Sequence, residues 1–180
     1  MSHAIFQSPA GATPVQVSTR FGLKGADAPS WLTARGIPVP DAPNRIARWS
    51  GGRCLRQGHG EFLVEVDDAG SRDPLSGESA AGEQQVWMLL RSDHCLLLEG
   101  GHWPDILSQA CSFDLDRLRA DPGLIVMTLL AGISVTLAAE PRPDESSPFA
   151  LRLWCDASYA LYLDHCLQQL AAPSLPENKR

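Results

Sequence analysis

The stretch FALRLWCDASYALYLDHCLQQL, residues 149–170, decides how the chain is read, because it holds a strand, a cap and a helix in succession. Leu151, Leu153 and Cys155 alternate with Arg152 and Trp154, the period of two expected of a strand with one face against a core. Asp156 offers a carboxylate as N-cap where the period changes. Ala160, Leu163, Leu167 and Leu170 then recur at helical spacing on one face, with Asp164, Gln168 and Gln169 turned elsewhere. Both apolar surfaces need something to pack against.

Upstream of this unit the chain supplies strands. Residues 124–130 and 133–138 read as two apolar strands, and 86–90 and 94–98, separated by Arg91-Ser92-Asp93, as a hairpin or one long bent strand. Trp103, Ile106, Leu107, Ala110 and Cys111 form a helical face with Pro104 at the helix start, and a second short helix covers 116–120. In the first half, Val15, Val17, Thr19 and Phe21 predict a strand ending at Gly22 or Leu23, followed by a helix with Asp27 as N-cap, Pro29 in its first turn, and Gly36 at its end. Pro38, Pro40 and Pro43 keep 37–44 extended, 48–56 reads as a strand or bend broken by Gly51 and Gly52, and 61–66 as a second strand. The expected organisation is a loose arm at 1–14, one α+β domain at 15–170 with two related halves (15–66 and 86–170) joined by a polar loop at 67–85, a loop at 140–148, and a flexible tail at 171–180. The halves share a pattern, glycine then proline then two apolar residues, in Gly25, Pro29, Trp31 and Leu32 and again in Gly100, Pro104, Ile106 and Leu107. Duplication and convergence on one strand-to-helix connection both account for it.

Composition bounds the function. The 180 residues are 44% hydrophobic and 20% charged, enough for a substantial core. A net charge of −6 argues against nucleic acid, and Arg45, Arg48, Arg53 and Arg56 read as a solvated face. Five cysteines without a CxxC pair imply neither a disulfide framework nor a zinc ribbon, and Cys54 with His59 lacks a second close pair. No secretory signal or membrane span is readable, so the expected location is the cytoplasm, with no membrane partner. His94-Cys95 and His165-Cys166 cannot each act as nucleophile and base, since neighbours in a strand or helix point apart. No GxGxxG or GxxxxGK[ST] motif is present. The candidate partner interface is aromatic, made of Trp103, Trp154, Tyr159 and Tyr162, with core packing as the plainer reading of the same residues.

Four segments carry a family resemblance: FGLKGADAPSWL at 21–32, GHWPDILSQACSFDL at 101–115, TLLAGISVTL at 128–137 and LWCDASYALYL at 153–163. Together they resemble the gamma subunit of the heterotetrameric bacterial sarcosine oxidases. The resemblance implies an α+β fold, an antiparallel or mixed sheet with packed helices, similar to the folate-binding domain of glycine-cleavage aminomethyltransferase. It implies a noncatalytic, assembly role in a complex that oxidatively demethylates sarcosine to glycine. Large alpha, beta and delta subunits would be the partners, with FAD, FMN, NAD and tetrahydrofolate bound by them and no cofactor, metal or catalytic residue in this chain. The alternative is a free-standing tetrahydrofolate-binding protein of the same superfamily, whose KGCYxGQ motif is missing here.

Overall fold

The computed structural model describes residues 11–17, 19–67, 85–141 and 149–172. In chain order its elements are β1 (Ala12–Pro14), β2 (Thr19–Lys24), α1 (Ala28–Ala34), β3 (Arg45–Trp49), β4 (Gly52–Gly58), β5 (Glu61–Val66), β6 (Trp87–Leu90), β7 (His94–Glu99), α2 (Trp103–Ser108), α3 (Asp116–Ala120), β8 (Ile125–Leu130), β9 (Ile133–Glu140), β10 (Ala150–Cys155), a 3₁₀ turn at Ala157–Tyr159 and α4 (Ala160–Ala171). The strands form two antiparallel sheets, ordered β3-β4-β5-β2-β6 and β1-β7-β10-β9-β8. Alternation along each strand sorts its side chains. Leu151, Leu153 and Cys155 of β10 join Leu96, Leu98, Val135 and Leu137 under Leu107, Leu118, Leu163 and Leu167, so α2, α3 and α4 cover the outer face of the second sheet. Phe21, Leu23, Phe62 and Val64 lie under Trp31 and Leu32 of α1 on the outer face of the first. The inner faces meet through Ile46, Leu55 and Leu63 on one side and Cys95, Ile125, Ala138 and Trp154 on the other. The result is four layers, helix, sheet, sheet, helix.

The sequence reading of the last unit holds for its strand and helical face, but β10 is buried on both faces and Asp156 caps the 3₁₀ turn rather than α4 itself. β10 lies between β7 and β9, and Asp156 caps the turn that follows by accepting the Ser158 N–H at 2.8 Å. Leu163 and Leu167 are buried. Elsewhere the structure corrects the reading. The strand expected from Val15 begins instead at Thr19, as β2, and the expected arm contains β1, which pairs with β7. Residues 86–90 and 94–98 are neither a hairpin nor one strand: β6 pairs with β2 in the first sheet and β7 belongs to the second, so Arg91-Ser92-Asp93 crosses between sheets. The 48–56 segment is the hairpin of β3 and β4. The loops expected at 67–85 and 140–148, and the tail after 171, fall almost wholly outside the described residues.

The halves repeat one topology. β2-α1-β3-β4-β5 gives the order β3-β4-β5-β2, and β7-α2-α3-β8-β9-β10 gives β8-β9-β10-β7. Gly25 and Gly100 turn each strand into its helix at φ +146° and +121°, angles that a side chain resists. The Ala28 and Trp103 amides each reach back to that glycine's carbonyl at 3.3 Å. Each half builds its own sheet, and none is shared between them. The fifth strands are exchanged, because β1 precedes β2 but pairs with β7, while β6 precedes β7 but pairs with β2.

One carboxylate sits between the sheets. Glu65 of β5 is fully buried. Its Oε1 accepts from Arg20 Nε and Trp154 Nε1, both at 2.7 Å, and its Oε2 from Arg53 Nη1 at 2.8 Å and Arg152 Nη1 at 3.2 Å. Arg53 continues to Asp67 at 2.8 and 3.0 Å, and Arg152 to Glu140. Burial pushes the Glu65 carboxyl up, but Arg20, the Trp154 N–H, Arg152 and Arg53 together outweigh it and hold the group below the usual 4.5.

Two expectations follow for stability. Leu153→Ala, in the middle of the second core, lowers the unfolding free energy by about 2–5 kcal/mol, while Leu161→Ala, on the exposed side of α4, changes it by no more than about 0.5 kcal/mol; urea titration of both variants checks this. Glu65→Gln removes the charge that four donors share and lowers stability by about 3–5 kcal/mol at neutral pH. Because the native Glu65 value is depressed, its contribution is complete above the ordinary carboxyl value of 4.5 and is lost as pH falls through the lower native value. The difference between wild type and Glu65→Gln in denaturant midpoint is therefore large at pH 7 and shrinks in acid; a difference that persists unchanged in strong acid contradicts the assignment.

Candidate functional site

Beyond Trp154 the two sheets part. Ile125 of β8 is buried between them, but Met127 and Leu129, next on the same face, are exposed. The gap is a cleft of about 720 Å³, with Leu63 and Trp154 at its floor, Gln57, Ser134 and Thr136 along its sides, and Arg91, Asp93 and Asp156 at its mouth. Gln57 Nε2 lies 3.5 Å from Thr136 Oγ1 and bridges the sheets there. Arg91 grips Asp93 through Nε at 3.1 Å and Nη2 at 2.5 Å. This pairing, together with Asp156 and Glu61 and against some burial, holds the guanidinium above its ordinary value. Asp156 is held low by the hydroxyl and amide of Ser158. Arg91 and Asp156 are thus both shifted away from neutrality, one upward and one downward.

A smaller recess of about 370 Å³ lies on the other side of Arg91, between Val15, Val17, Arg20, His94 and Cys95. His94 Nε2 is 3.1 Å from Asp164 Oδ1 on α4, a contact that ties the helix to β7. Cys95 points to the opposite face of β7, into the layer between the sheets, so the pair diverges as strand geometry requires. Burial, aided by Glu65, pushes the Cys95 thiol up to about 12. Burial and the carboxylates of Asp156, Asp164 and Asp93 push Cys155 to about 11, and burial takes Cys54 to about 12. A nucleophilic cysteine needs the opposite shift, since the thiolate is the reactive form. Cys54 faces the core under α1 while His59 is exposed on the turn after β4, so they do not meet. His165 is exposed on α4, away from Cys95 across the sheet. Among the described residues no group of three or more His, Cys, Asp or Glu side chains is placed to hold a metal ion, and no helix is long and apolar enough to cross a membrane.

The four aromatic candidates do not form one surface. Trp103 (0% exposed) and Trp154 (2%) are interior, whereas Tyr159 (47%) and Tyr162 (49%) are open. Trp103 starts α2 directly above the second sheet and joins its core; Trp154 is turned inward by strand alternation and donates to Glu65. The two tryptophans named for a partner interface are packed inside this chain, and the two tyrosines reach its surface. Tyr162 Oη donates to Ala131 O at 2.9 Å, linking α4 to the turn between β8 and β9. Sequence reasoning gave no role to Arg20, Glu65 and Arg152, and it placed Arg53 on a solvated face although that side chain is buried against Glu65. The signal was present as lone charges set among apolar strand residues, in TRFGL, FLVEV and LRLWC.

No protein-family model matches this sequence, and no curated protein does. Solved structures do match. A chain of the heterotetrameric sarcosine oxidase from Corynebacterium sp. U-96, solved in complex with pyrrole 2-carboxylate, is similar with a TM-score of 0.68 and 25% identity, over 93% of this chain and 91% of that one. The aminomethyltransferase T of the glycine cleavage system from Bartonella henselae shares the fold at a TM-score of 0.51 and 12% identity, over 89% of this chain and 46% of that one. This chain thus spans about half of the aminomethyltransferase but nearly all of the sarcosine oxidase chain. The α+β fold with antiparallel sheets and the resemblance to a sarcosine oxidase chain are borne out, and the likeness to the aminomethyltransferase is one of fold.

Proposed function

We propose that this chain is the noncatalytic gamma-type subunit of a cytoplasmic sarcosine oxidase complex, which oxidatively demethylates sarcosine to glycine, and that its role is structural. The carrying observation is the mutual coverage of 93% and 91% with a chain of a heterotetrameric sarcosine oxidase, since the shared fold takes in most of both chains. The chemistry of the interior agrees. The buried carboxylate is saturated by four donors and held ionised, the opposite of a group poised to exchange protons. Burial pushes the thiols of Cys54, Cys95 and Cys155 up, away from the reactive thiolate. On this reading alpha, beta and delta subunits are the partners, and FAD, FMN, NAD and tetrahydrofolate bind to them.

The test is affinity purification of the tagged chain from its native cells. The expected eluate is yellow, contains larger and smaller partner subunits, and oxidises sarcosine, while the chain purified alone is colourless and inactive. Deleting the chain is expected to lower the yield of assembled, flavin-containing complex. A complex of unchanged flavin content and activity without this chain overturns the proposal.

A further inference from the structure

We draw no further inference here: the strongest candidate, the cleft between the two sheets with Met127 and Leu129 exposed on one wall and Arg91, Asp93 and Asp156 at its mouth, carries nothing, because its charged groups are already engaged within the chain, Arg91 with Asp93 and Asp156 with Ser158, and nothing in the structure shows what fills it.

Discussion

A buried carboxylate that neither sheet can satisfy alone governs this fold. Glu65 belongs to the first sheet, as do Arg20 and Arg53, but Arg152 and Trp154 come from the second. The idealised desolvation of one carboxylate in a low-dielectric interior is of order 20 kcal/mol, and attraction to partners repays it only with good geometry. Docking the sheets and completing the hydrogen bonds of Glu65 are therefore one event. The apolar part of the same layer is modest, with Cys95 and Ala138 as small members. Hydrophobic contact alone would permit the sheets to slide, whereas five hydrogen-bonding side chains at fixed strand positions set one relative placement.

The position of that contact follows from the repeated topology. Counting from Gly25 and Gly100, Lys24 opposite Glu61 matches Glu99 opposite Ala150. Glu65 then matches Trp154, and Arg20 matches Cys95. The 2.7 Å bond from Trp154 to Glu65 joins equivalent positions of the two halves, so it lies where an approximate twofold axis would pass. Identical residues at such a place would set two carboxylates or two indoles against each other. A carboxylate facing an indole N–H is complementary, and the arginines are correspondingly uneven, with Arg20 and Arg53 on one side and Cys95 and Thr136 at the matching places. The exchanged strands β1 and β6 reinforce the link, since each half lends its leading strand to the other sheet.

Periodicity made the elements legible, because a strand with one face under a helix writes that face into every second residue. β10, β5, β8 and β9 were readable for this reason, and so were the glycine and proline that open α1 and α2. What periodicity does not carry is the partner of each face. The residues 86–90 and 94–98 read as neighbours because only Arg91-Ser92-Asp93 separates them, and nothing local states that the chain changes sheets there. Trp103 and Trp154 allowed an interface reading beside the plainer one of core packing, since exposure is set by layers that assemble from distant segments. The inner-face charges were visible as lone charges among apolar neighbours, yet their mutual contact spans up to 87 residues of chain. The cleft was illegible for the same reason, being a divergence of two sheets and not a motif.

These constraints also bear on what the molecule can do. An acid or base that works near neutrality needs a value moved toward 7 and a lone pair or proton left free. Glu65 has neither, because its oxygens are occupied by Arg20, Arg53, Arg152 and Trp154 and its value is displaced downward. Cys54, Cys95 and Cys155 are displaced upward, the wrong way for thiolate chemistry. The interior spends its ionisable groups on holding two sheets in register.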